Sequence, residues 1–332
     1  MNNATIDEVT FIAHKLIITM GIIMYVFGLI GNALNICVFT IWCRSHKQGN
    51  ENNGNNRPSN SSLYLLTSSY ANFILIIYPL LTRIVYDGFQ YPKTPNNVIF
   101  TCKLRYYVLH TSDLISLTCI CMATLDRYLI SSRQARLRQL STTPYRTKQI
   151  ILLIIFIIGL HNISVGYYYE ISDFDDCIIS SERYLYYYLC IIQIFFHAVF
   201  PICFLSVFGT LTYKQLKLSS RTTIQLNFHM DKQLSRMLLL LCISILISSI
   251  PYCMGYTYLI AFNYINTKLL SYNLIIYFIA AVSFFANAVS SFYIFFISTP
   301  NFRRQVKKIL QCNSIFFEKN NQINVITITP TV

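Results

Sequence analysis

The chain has 332 residues, of which 54% are hydrophobic and 12% charged, with a mean hydropathy of +0.47. Soluble domains carry about 25% charged residues, so this composition excludes a soluble enzyme, a disordered chain and a collagen-like repeat. The net charge of +13 and the 11 Cys point to neither nucleic acid nor a disulfide-dense module: the basic residues lie between apolar runs, and most thiols lie inside them, as small buried hydrophobes.

A hydrocarbon core of about 30 Å needs roughly 20 apolar residues in a helix. Seven such runs occur: Leu16 to Trp42, Leu63 to Tyr86, Leu104 to Leu125, Ile150 to Tyr169, Tyr184 to Tyr213, Met237 to Phe262 and Leu269 to Ile297. The third carries Arg105, His110, Ser112, Asp113, Ser116 and Thr118. Polar groups of that kind must face other helices, which makes this span the central one. The Asn-rich stretch from Arg44 to Asn60 reads as a loop. The expectation is an all-α membrane protein, a seven-transmembrane bundle over 16–297. Residues 1–15 precede it as an extracellular segment, and 298–332 follow as a short amphipathic eighth helix and cytoplasmic tail.

Lys and Arg favour cytoplasmic loops. With the amino terminus outside, 19 of the 26 fall on the inner side. The chain is therefore expected in the plasma membrane, multi-pass, with its carboxyl terminus in the cytoplasm. The first 15 residues lack the features of a signal peptide, so the first span is read as an uncleaved anchor. Of the sequons, the one at Asn3 lies on the outer side and is the expected glycan acceptor.

Asp126-Arg127-Tyr128 closes the third span, with Cys102 at its other end. Gly31-Asn32 lies in the first span, Cys177 in the second outer loop, Pro201 and Pro251 in the fifth and sixth, and Asn301-Phe302-Arg303-Arg304 after the last. In this order, from about Phe11 to Cys312, these residues resemble the rhodopsin-like family of G-protein-coupled receptors, in a divergent form of the neuropeptide-receptor type. The resemblance implies a disulfide between Cys102 and Cys177, the two being otherwise unrelated thiols in oxidising space. It also implies that Asp126, Arg127 and Tyr128 couple to a heterotrimeric G protein. Asp231 then latches Arg127, or is simply a solvated residue beside Lys232, and Pro251 hinges the sixth helix. Asn32, Asn72, Ser116 and Asn287 form the polar bundle core.

Departures from the family pattern are plain. Asn72 stands where an aspartate is usual; it is expected to hydrogen-bond Ser116 and Asn287 and to confer little sodium sensitivity. Ser249 replaces the sixth-span tryptophan, and Ser291-Phe292-Tyr293-Ile294-Phe295 replaces the seventh-span Asn-Pro-x-x-Tyr, which makes signalling strength uncertain. Phe285, where a retinal-binding lysine would stand, excludes retinal, and Leu109, where amine receptors place an aspartate, speaks against an amine.

Ligand candidates are Leu109 and, one turn deeper, Asp113, either a counter-ion for a ligand or a structural hydrogen-bonding group. In the second outer loop Asp173, Asp175 and Asp176, with Glu170 and Glu182, oppose Arg183 and would draw cations toward the mouth. Tyr167, Tyr168, Tyr169, Tyr184, Tyr186, Tyr187 and Tyr188 add rings suited to a basic peptide, or mark the interfacial aromatic belt. The expected partners are thus an extracellular peptide ligand, a G protein and membrane lipids, with no nucleic acid. The basic inner residues Arg303, Arg304, Lys307 and Lys308 suit anionic lipid or the G protein, and Cys312 beyond them is a palmitoylation candidate. No catalytic motif, metal set or cofactor fingerprint is present, and His161 and His197, each alone on an apolar helix, read as hydrogen-bonded bundle residues and not as ligands. The alternatives are a weakly signalling or non-signalling binding receptor, or a small transporter or channel.

Overall fold

A helix that satisfies its own backbone hydrogen bonds is one of the few structures able to cross hydrocarbon. Among the described residues, seven helices are long and apolar enough to do so. The computed structural model describes residues 3–48, 60–91, 99–132, 134–140, 143–171, 177–219, 225–263 and 270–311. The seven spanning segments are Phe11–Arg44, Asn60–Gly88, Cys102–Ser131, Pro144–Tyr168, Glu182–Gln215, Ser235–Gly255 and Phe278–Ser298, and the chain is an all-α multi-pass membrane protein. The third span is the central one: 67% of its most apolar window is buried, against 17% for the fourth, whose Leu152, Phe156 and Leu160 face outward.

Several boundaries differ from those expected, each for a local reason. The first helix runs from Asn3 to Gln48, well before Leu16 where the apolar run begins. Its early turns are tied to the second span: His14 Nδ1 donates to the Asp87 carbonyl at 2.9 Å, and the Gln90 amide donates to His14 Nε2 at 2.6 Å. The fourth helix starts at Pro144, where proline loses no helical hydrogen bond, and the Thr143 hydroxyl caps it by accepting from the Arg146 N–H at 3.4 Å.

Three spans contain π-helical turns, the third at its start, over Ile99–Leu104. In the second the widening covers Ile76–Leu80, which contains Pro79, and Ile84–Gly88. In the fifth it runs over Tyr188–Val199, just before Pro201. Proline offers no N–H to the carbonyl four residues earlier, and Pro201 leaves that of His197 without its usual donor. The sixth helix, by contrast, continues as an α-helix through Pro251.

Between the fourth and fifth spans lies an antiparallel hairpin absent from the all-helical expectation. Strand β1 (Tyr169–Ile171) pairs with β2 (Cys177–Ile179), Tyr169 opposite Ile179 and Ile171 opposite Cys177. After the seventh span, a helix over 300–311 buries Phe302 and Val306 and exposes Arg303, Arg304, Lys307 and Lys308. That spacing makes it amphipathic. Phe302 sits among Phe39, Trp42, Phe292 and Phe295, with ring centroids 5.9–6.0 Å away, which fastens this helix to the first and seventh spans.

Candidate functional site

The third helix carries three buried polar constellations, one at each end and one between. At the disulfide end, Cys102 is bonded to Cys177 with their Cα atoms 5.7 Å apart, which pins β2 to the start of this helix. Above the bridge Tyr106 stacks on Tyr169 at 4.0 Å. One turn on, Arg105 donates from Nη1 and Nη2 to the two oxygens of Asp87 at 3.2 and 2.6 Å, and Arg83 Nε lies 3.6 Å from the same carboxylate. Arg105 is 2% exposed. A fork of two parallel charge-assisted bonds is the strongest way to hold a buried guanidinium.

At the opposite end, Asp126 and Arg127 are 5% and 2% exposed. The residue that joins them is Ser61, in the first turn of the second span. Its backbone N–H and its hydroxyl donate to Asp126 Oδ2 at 3.0 and 2.5 Å, while the same hydroxyl accepts from Arg127 Nε at 2.7 Å. One hydroxyl therefore donates to the acid and accepts from the base. Tyr128 packs edge-on against Phe208 of the fifth helix at 5.5 Å, and Ser131 donates to Gln215 Oε1 at 2.8 Å. The side chain of Asp231, the expected latch, lies outside the described residues, as do that of Asn3 and the whole of Asp173, Asp175, Asp176 and Cys312.

The middle holds the polar core. Asn32 donates to the carbonyls of Gly28 and Ala288 at 2.9 and 3.0 Å, stitching the first helix to the seventh, and Asn35 adds a bond to Ser291 at 3.3 Å. Asn72 and Asn287 are buried, yet their side-chain oxygens have no hydrogen-bond partner among the described residues. The expected bond from Asn72 to Ser116 is not made: Ser116 pairs with Ser68 at 2.8 Å, a closer hydroxyl on the same neighbouring helix.

Beside this core a chain of side chains links the third and fifth helices. Asp113 Oδ2 lies 2.7 Å from His197 Nδ1; His197 Nε2 lies 3.2 Å from His110 Nδ1; His110 Nε2 lies 2.8 Å from the Tyr188 hydroxyl. All four residues are buried. His197 is thus a hydrogen-bonded bundle residue, as expected, and the widened fifth helix carries it against Asp113. His161 matches its bundle reading too, with the Tyr187 hydroxyl 2.8 Å away. Asp113, His197, Ser249, Tyr252 and Asn287 line a cavity of about 20 Å³, room for a single water.

Leu109 belongs to the apolar cluster of Ala198, Tyr252 and Phe285. The tyrosine group divides: Tyr169, Tyr184 and Tyr188 are buried in packing, whereas Tyr167 and Tyr186 are 69% and 65% exposed. Among the described residues no three His, Cys, Asp or Glu converge as a metal site. Reading the sequence missed Ser61, Asp87, His110 as a partner and Tyr188 as a hydrogen-bonding group; the one usable signal was that an intramembrane Asp113 demands a partner. Compared with known proteins, the chain matches no family model and no curated protein.

Proposed function

We propose that this protein is a receptor of the rhodopsin-like, G-protein-coupled kind, set in the plasma membrane with its disulfide end outside and its carboxyl terminus in the cytoplasm. It takes an extracellular ligand, a basic peptide, and activates a heterotrimeric G protein as the inner half of the sixth helix swings about Pro251. The observation that carries this reading is the buried Asp126–Arg127 pair, bridged by Ser61, at the end of the central helix remote from the Cys102–Cys177 bridge. A guanidinium so placed is held closed by short hydrogen bonds and becomes a contact for a partner when they break.

The ligand enters at the disulfide end, where Glu170 and Glu182 are exposed among the described residues. Asp175 and Asp176 steer it, and charge reversal at both weakens a cationic agonist. The basic face of the helix over 300–311 lies against anionic lipid, worth about 1 kcal/mol per cation.

Ligand-dependent nucleotide exchange tests the reading, in cells expressing the chain and exposed to a library of basic neuropeptides, with Arg127→Ala and surface expression measured alongside. A saturable response that disappears in the variant is expected. Silence across all G-protein families, with the chain at the surface, overturns it in favour of a receptor that binds and couples poorly. A specific observation favours that second reading: Phe295 is buried against Phe39 and Phe302, so a ring without a hydroxyl stands where the family pattern has a tyrosine.

A further inference from the structure

The chain Asp113–His197–His110–Tyr188 contains three links, and with Asp113 anionic it holds one proton in each. In that state Tyr188 donates to His110 Nε2, His110 Nδ1–H donates to His197 Nε2, and His197 Nδ1–H faces the carboxylate. Every donor points toward Asp113. A further proton, placed on His197, makes both of its nitrogens donors. His110 must then accept at Nδ1, carry its own proton on Nε2 and donate to the Tyr188 oxygen. One added proton therefore reverses the direction of the two links beyond His197, to His110 and to Tyr188.

The link to Asp113 is the reason such a proton is retained. His197 Nδ1 is 2.7 Å from the carboxylate oxygen, yet that approach lies off the direction of a ring N–H and makes no well-aligned hydrogen bond. A neutral N–H loses most of its interaction when bent, whereas the attraction between an imidazolium and a carboxylate depends on distance. The geometry suits the charged pair. Rings on the sixth and seventh helices flank it: the centroids of Tyr252 and Phe284 lie 6.1 Å from that of His197, at the edge of cation–π range. Tyr252 follows Pro251 directly and donates to Gln193 at 3.1 Å, so charge on His197 acts on the sixth helix beside its proline.

Other ionisable groups around the pair are few. The third helix presents His110, with Tyr106 stacked 6.5 Å beyond it; the fifth presents Tyr188. The sixth presents Tyr252 and Cys253, whose thiol bonds the Gln193 carbonyl; β1 presents Tyr169 against Tyr188. The seventh helix offers Ser283, Phe284 and Asn287, none of them ionisable, and Arg105 beyond Tyr106 is held by Asp87. Asp113 is the one carboxylate in the described cavity wall.

We infer that this chain is a proton-binding site inside the bundle, with the proton as its ligand: His197 and Asp113 hold it, and His110 and Tyr188 report it by reversing their hydrogen bonds. The site stands apart from the receptor reading and is tested without a G protein. Full-length protein carrying ¹⁵N-labelled imidazoles, in lipid nanodiscs, is titrated by NMR from about pH 8 to 5, the range of ordinary histidines. Nitrogen shifts distinguish the two neutral tautomers from the doubly protonated ring. The expected result is one step in which His197 becomes doubly protonated as His110 moves its proton from Nδ1 to Nε2. Asp113→Asn should lower the midpoint by at least about one pH unit, a tenfold weaker hold on the proton, with Asp113→Glu restoring it. A His110 ring that keeps one tautomer throughout overturns the proposal, as does an Asp113→Asn variant with an unmoved step. Should that variant fail to fold, the concerted change in the unsubstituted protein decides alone.

Discussion

Two arginines lie near opposite ends of the third helix, both 2% exposed, and they are held differently. Arg105 grips Asp87 directly, fork to carboxylate, tying the third helix to the second near the disulfide that ties it to β2. At Arg127 a hydroxyl takes part: Ser61 accepts from its Nε and donates to Asp126. The first arrangement is a clamp of charge on charge; the second sets a hydroxyl between acid and base, which makes it the latch of the proposed function. Asp87→Asn attacks the clamp and should have the largest effect of any change considered for stability. It leaves Arg105 and Arg83 without their carboxylate, a loss of about 3–5 kcal/mol for a buried pair. Thermal unfolding in detergent should show it, and a change below about 1 kcal/mol would mean that Arg105 finds water in the folded protein.

Ser61→Ala attacks the latch. The Ser61 backbone N–H still holds Asp126 at 3.0 Å, but both hydroxyl bonds vanish. Burying the two groups with those bonds unmade should cost about 1–3 kcal/mol, less than the clamp. On the proposed function it should also raise basal nucleotide exchange, with Ser61→Thr, which keeps the hydroxyl, close to the unsubstituted level. A variant as stable as the parent, with unchanged basal exchange, would remove Ser61 from the latch.

The same contrast explains what could be read before the fold was known. Span number follows from hydropathy over about 20 residues, and the central place of the third from its polar content, because both are properties of one segment. The polar partners depend on segments far apart. Asp87 and Arg105 are separated by a loop, His110 and His197 by the whole fourth span, and Ser61 is one hydroxyl among several in a stretch that reads as the end of a loop. Nothing local marks which of them meets a charge. Proline was legible as a disruptor at Pro201 and Pro251 but not in its outcome: the fifth helix widens and the sixth does not. The acidic loop at Asp173 to Asp176 stays a reading of the sequence, lying outside the described residues.

The smallest expected effect sharpens the comparison most. Arg105→Lys keeps the charge but replaces two parallel bonds by a point contact, and it removes the guanidinium plane that lies 5.5 Å over the Tyr106 ring. The cost should be about 1 kcal/mol, well below that of Asp87→Asn, because the ion pair survives and only its geometry is lost. Since the pair is buried, raising salt from about 0.15 to 1 M should change the difference little, whereas an exposed pair would be screened. A lysine variant as damaging as Asp87→Asn would show that the fork, and not the charge, is what the disulfide end requires. The clamp would then be a matter of shape, and the distinction from the hydroxyl-bridged Arg127 would rest on geometry alone.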